Sequence, residues 1–229
     1  MPISRIRSEL KVIFGLTALI PIPGLACLGL LEGLLYSGSS HFAGQLNFVV
    51  LRDFGFLLPL LSALSVAHLM SVERDEGFDD LRYSYPEPIQ FQALMRTVMA
   101  LVLIAVILGL GWAAYSFASG EMISFQWLLP ALPATLFLTG LSLLANHLTG
   151  SYWVSAGVSL GYWLVEYQTK GILTHSFFLF NSIWPCEGVD PSINIILILS
   201  SGLIFLAANI LMDPRRLRFE RRQYSLHGE

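Results

Sequence analysis

One stretch of the chain formally carries a hydrolase signature: Gly157-Val158-Ser159-Leu160-Gly161. The pattern Gly-x-Ser-x-Gly presents a serine nucleophile when it forms a sharp turn between a strand and a helix. Here it lies inside an apolar run, Tyr152 to Tyr167, that reads as a helix. The same glycines also read as Gly-x-x-x-Gly, the spacing that lets two helix backbones approach closely in lipid. Gly157 and Gly161 are therefore assigned to helix packing, and no catalytic residue is assigned. An intramembrane enzyme would need a base beside Ser159 or two carboxylates at one depth. Glu32 and Glu166 both fall near the outer ends of their apolar runs, and only the packing of distant helices would bring them together.

The other candidates are single residues. Arg52-Asp53 lies near the outer end of the second apolar run. It reads as a snorkelling arginine with an N-cap aspartate, or as a gate or substrate contact. Glu32 reads as an interfacial carboxylate or as a transport residue. His68 and His147 are expected at the same inner depth, but a zinc-type site needs more ligands than two histidines, and no metal site is assigned. Cys27 and Cys186, the two cysteines of the chain, stand far apart and read as lone thiols.

These residues must be positioned by membrane helices. Over 229 residues the mean hydropathy is +0.65 and only 13% of residues are charged, against about 25% in an average soluble domain. A run of about 20 apolar residues spans a bilayer. The chain is expected to be an all-α integral membrane protein, one transmembrane domain over residues 1–229, with spans at about 12–36, 48–72, 93–117, 125–149, 152–167 and 193–212. Pro21 and Pro23 should kink the first span, while Pro130 and Pro133 lie in the first half of the fourth. The apolar stretch 171–185 is too short to span and reads as a re-entrant or interfacial outer hairpin. Arg5, Arg7 and Lys11 precede the first span, Arg96 anchors the third, and Arg215, Arg216, Arg218, Arg221 and Arg222 follow the last. Positive residues favour the cytoplasmic side, so both termini are expected in the cytoplasm of a multi-pass plasma-membrane protein. The net charge of −3 decides nothing, because charge in such a protein acts through its location.

Between the second and third spans lies the densest charged run between apolar segments, Ser71 to Pro86. Phe78, Leu81 and Tyr85 fall at i, i+3 and i+7, one face of a short helix. Glu73, Asp75 and Glu76 crowd its start, where the helix dipole favours acidic side chains. Pro86 and Pro88 stop it. The prediction is a short amphipathic helix at the cytoplasmic surface whose apolar stripe requires a cover.

In the residues Glu73, Arg74, Asp75, Gly77, Leu81 and Pro86, and in its place after the second span, this run resembles the coupling segment of ABC-2-type transporter permeases. Phe78 stands where that family often has Thr or Ser, and Asp79-Asp80 where Glu-Leu is common. The outer stretch before the last span is similar to the family's short re-entrant helices. The resemblance implies the fold of a type V exporter-like permease with six transmembrane helices. It also implies a cytoplasmic coupling helix carried by Glu73, Arg74, Asp75, Glu76, Gly77, Phe78, Leu81, Tyr85 and Pro86. Such a permease works on separate ABC ATPase subunits, paired with a second copy of itself or a related permease. Its outward substrate would be amphipathic: a peptide, a lipid or a drug. ATP and magnesium would bind in the partner chain. This chain has no Gly-x-x-x-x-Gly-Lys-Ser/Thr phosphate loop and is expected to hold no cofactor, to show no enzyme activity of its own and to bind no nucleic acid. The alternatives are the intramembrane enzyme and a non-transporting sensor or immunity protein on the same scaffold.

Overall fold

In a bilayer core every backbone N–H and C=O must find its partner within the protein, so a long apolar run folds as a helix. The computed structural model describes residues 42–67, 89–119, 122 and 124–211, together with Cys27 and Leu31, both helical, of the first apolar run. Its described residues form five longer α-helices and no strand: α1 (Phe42–Val66), α2 (Ile89–Ser119), α3 (Ala131–Thr149), α4 (Tyr152–Thr169) and α5 (Pro191–Leu211). Among the described residues, four stretches are long and apolar enough to cross a membrane: Phe48–Val66, Ala93–Phe117, Ala131–Thr149 and Pro191–Leu211. The chain is thus a helical, membrane-embedded protein. The expected fifth span is the 18-residue α4, which is not one of these four. The first span apart from Cys27 and Leu31, with Glu32, His68, the whole coupling run Glu73–Pro86 and the arginine tail, lies outside the described residues.

The helix ends explain several departures from expectation. α1 already begins at Phe42, ahead of the start expected for the second span at about 48. Asp53 therefore lies inside a 25-residue helix and is not an N-cap. The fourth span begins at Ala131, after a single 3-10 turn at Phe125–Trp127. Pro130 is its N-cap and Pro133 falls in its first turn. The first-turn N–H groups have no intrahelical partner, so a proline there removes no helix bond and produces no kink. A short turn then reverses the chain. Gly150 adopts the left-handed conformation (φ 64°), its N–H bonded to the Asn146 carbonyl at 2.6 Å, and Ser151 is extended before α4 starts.

α3 is the centre of the bundle. It packs most extensively on α5 and α1, and next on α4. One side of its contacts is apolar and close. At Gly140 an added Cβ would stand 2.9 Å from the Gly202 carbonyl oxygen, and at Gly202 it would stand 2.9 Å from the Leu136 carbonyl carbon and the Phe137 nitrogen. The other side is polar. Thr135, Thr139, Ser142 and Asn146 recur at spacings of four, three and four, and all are buried. The Ser142 hydroxyl donates to the Ala63 carbonyl of α1 at 2.9 Å. The Ser155 hydroxyl of α4 donates to the Ser142 carbonyl at 2.6 Å. These bonds tie three helices together where lipid supplies no competing water. On the far side the Asn209 amide of α5 donates to Thr97 of α2 at 2.9 Å.

The segment between α4 and α5 holds the stretch 171–185, expected as a re-entrant or interfacial hairpin. It contains one 3-10 turn, His175–Phe177, and otherwise turns and bends. Phe178, Leu179, Phe180 and Ile183 are buried with α1, α3, α4 and α5 residues in one apolar cluster. It closes one end of the bundle as a packed cap.

Candidate functional site

Two groups of buried polar side chains stand at the cap end of the bundle. The first begins with Glu166, in the last turn of α4. Its side chain is fully buried. Oε2 accepts hydrogen bonds from the Thr174 hydroxyl at 3.1 Å and from the Leu179 N–H at 3.3 Å. Tyr162, one turn earlier on α4, lies against the same carboxyl group as a further hydrogen-bond partner. Facing it from the start of α5 is Asn194, whose amide donates to the carbonyls of Ser176 at 2.8 Å and Phe178 at 3.0 Å. A carboxyl group and an amide thus hold the main chain of the cap from two helices. Asn181 folds the cap on itself, its Oδ1 accepting the Cys186 N–H at 2.8 Å.

Aromatic rings close the site on the α1 side. Phe56 lies 4.5 Å from Trp163, 5.2 Å from Phe180, 5.3 Å from Tyr167 and 5.7 Å from Trp184, centroid to centroid. Tilted and edge-on contacts of this kind add to the burial of the rings. The Trp163 indole donates to the Phe56 carbonyl at 2.9 Å, so its polar edge is satisfied. One turn before Pro59, Gly55 makes room for the cap: an added Cβ would stand 2.8 Å from Ile183 Cδ1.

The second group is Arg52, Asp53 and Tyr115. Asp53 is buried in α1 and receives the Tyr115 hydroxyl of α2 at 2.6 Å. Arg52 lies beside it, with Nε and Nη2 both 2.8 Å from Asp53 Oδ1. The guanidinium offsets the cost of a carboxylate at this depth. Phe54 packs edge-on against the Tyr115 ring at 5.4 Å. Tyr115→Phe is expected to lower stability by about 2 kcal/mol, the worth of a buried hydrogen bond to a charged acceptor. Thermal unfolding in detergent measures it, and an unchanged midpoint would mean that this bond holds nothing.

The residues singled out in the sequence fare differently. Gly157 and Gly161 sit on the outward face of α4, with nothing within 4 Å of an added Cβ. Among the described residues close approach falls to Gly140 and Gly202, and the Gly157–Gly161 pair meets no described neighbour. Ser159 is fully buried inside a helix, not on a strand-to-helix turn, and its hydroxyl has no hydrogen-bond partner. Glu166, expected at the interface, is enclosed by the cap. Arg96, expected as a surface anchor, is buried in α2. His147 is buried in the last turn of α3, and among the described residues no group of three His, Cys, Asp or Glu side chains forms a metal site. Cys27 and Cys186 are free thiols.

Sequence reading passed over Asn194, Asn209, Thr174 and Tyr115. The signal for the two asparagines was present: each is a lone amide in an apolar run, and a polar side chain inside a span faces protein and finds a partner. Nothing local marks Thr174 or Tyr115, whose partners lie on other elements. Compared with known protein families, curated proteins and solved structures, the chain matches none.

Proposed function

We propose that this chain is the membrane-spanning subunit of an ATP-driven transporter of the ABC-2 kind, moving an amphipathic substrate outward. The observation that carries the reading is the run Glu73-Arg74-Asp75-Glu76-Gly77-Phe78, with Leu81, Tyr85 and Pro86 after it, placed between two long apolar helices. A polar loop with one apolar helical face suits docking in a groove of a soluble partner, the helix-in-groove mode of recognition. The absence of a phosphate loop from the sequence is consistent with ATP being bound by that partner. In this reading the chain has six spans and pairs with a copy of itself or a related permease. The movements of the ATPases pass through the loop into α1 and α2.

The first test is biochemical. The purified chain alone should hydrolyse no ATP, and expressed with its genomic neighbours it should co-purify with a separate ATPase. Recovery of the chain in native membranes with no ATPase bound, under conditions that preserve other such complexes, would count against the reading. The second test is topological. In a chain with Cys27→Ser and Cys186→Ser, a cysteine replacing exposed Leu173 should react with a membrane-impermeant maleimide added to intact cells, and one replacing Gln223 should not. Labelling at position 223 would overturn the six-span arrangement.

A further inference from the structure

Printed contacts fix the level of α1, α3 and α4 against one another. The Ser142 hydroxyl of α3 lies 2.9 Å from the Ala63 carbonyl of α1 and 2.8 Å from the Ser155 hydroxyl of α4. Nearer the cap, the Trp163 indole of α4 donates to the Phe56 carbonyl of α1 at 2.9 Å, and the Tyr162 ring lies 5.1 Å from that of Phe137 on α3. α4 therefore runs antiparallel to α1 and α3. Between these two levels stand Pro59 on α1, Thr139 on α3 and Ser159 on α4, each about one helical turn from the Ser142 contact.

This level is polar and unpaired. Ser62, Thr139 and Ser159 have no exposed surface, and none of their hydroxyls has a hydrogen-bond partner. Pro59 carries no N–H, so the helix bond to the Gly55 carbonyl, one turn earlier, is missing. Farther from the cap, both polar atoms of the Asn146 side chain are buried and unpaired. Buried polar groups without partners are rare, and each costs free energy until something bonds to it. These side chains are short and do not reach one another across the three helices. Their chemistry selects the ligand. The hydroxyls and the amide both donate and accept, the carbonyl accepts, and no carboxylate is among them. A cation would satisfy the acceptors alone, whereas water donates two hydrogen bonds and accepts two.

We propose that the junction of α1, α3 and α4 at Pro59 is a binding site for internal water, which bridges Ser62, Thr139 and Ser159 to the Gly55 carbonyl. The water stands in for the bond that the proline removes, as ordered water does at broken membrane helices. α3 thus meets α1 and α4 across a wet contact, and α5 across the dry backbone contact at Gly140 and Gly202. The inference concerns this chain alone and is independent of the transporter reading.

The test is X-ray radiolytic footprinting of the full chain in detergent micelles, which oxidises side chains beside bound water and is read by mass spectrometry. Rates are normalised to those of the chain unfolded in denaturant. Buried Pro59 and Leu138 should be oxidised at least about tenfold faster than Leu206, which packs at the dry Gly140 contact. Thr139→Val nearly keeps the shape of the side chain and removes its hydroxyl. It should lower both the oxidation of Pro59 and the thermal midpoint, because the water loses a partner. Were the hydroxyl dry and unpaired, the same change would remove a buried polar group that bonds to nothing, and the midpoint would rise. Ser159→Ala gives a second comparison should Thr139→Val lose its helical circular dichroism. Equal protection of Pro59, Leu138 and Leu206, or a raised midpoint in a helical variant, would overturn the proposal. So would a wild-type midpoint higher in sodium chloride than in choline chloride, which would make the occupant a cation.

Discussion

Gly202→Val should sharply reduce the yield of folded chain. At this position an added Cβ meets the Leu136 carbonyl carbon and the Phe137 nitrogen at 2.9 Å and the Leu136 oxygen at 3.1 Å. All three are backbone atoms, so no side chain can turn aside. The helices α3 and α5 would have to separate at the most extensive contact of the bundle. Overpacking of a tight core typically costs about 1–3 kcal/mol. Gly202→Ala should fall in that range, and valine, whose two further methyl groups meet the same backbone, should exceed it. Gly140→Ala should also destabilise, since its Cβ would stand 2.9 Å from the Gly202 oxygen. The control is Gly157→Ala, where the space is open. In a helix interior that change is worth about 0.5–1 kcal/mol in favour of alanine. Thermal unfolding and size-exclusion profiles in detergent compare the four chains. A Gly202→Val chain with a wild-type midpoint would show that α3 and α5 do not approach in this way. A loss of oligomer with an intact monomer in Gly157→Ala would place the glycine pair in a contact between copies.

Leu81→Asp should release the ATPase while leaving the spanning helices folded. Leu81 is the middle residue of the stripe Phe78, Leu81, Tyr85 in the run predicted to dock. A central apolar anchor often contributes about 2 kcal/mol or more to an interface, and rim charges contribute less. Losing about 2 kcal/mol weakens binding roughly thirtyfold. Asp80→Ala, off the apolar stripe, should change affinity little. Gly77→Val should impair coupling if the chain bends there from helix to loop, because glycine tolerates backbone conformations that valine does not. The measurements are ATPase retention on the affinity-tagged chain and substrate transport in liposomes for wild type, Leu81→Asp and Asp80→Ala. Full retention and full transport by Leu81→Asp would remove the main support for the transporter reading.

The sequence by itself determined that this is a helical membrane protein. Run length and hydropathy are local properties, and a bilayer leaves an apolar run of some 20 residues little choice but a helix. The starts and stops of α2, α4 and α5 followed closely, because charged residues, Gly150-Ser151 and Pro191 mark them in the chain. What only the tertiary structure decided was which face of each helix turns inward. Gly157 and Gly161 carry a packing motif yet face outward, whereas Gly140 and Gly202 carry none and hold the two helices at backbone contact. A spacing states that close approach is sterically allowed; the neighbours that use it come from distant parts of the chain. Asp53 reads as a cap only if the helix begins beside it, and α1 begins at Phe42, so the carboxylate is carried inside to Tyr115, 62 positions away. Glu166 looks interfacial because it ends an apolar run. It is buried because Thr174 and the Leu179 backbone fold back over it, held there by Asn194 from the next helix, and no local pattern encodes that return.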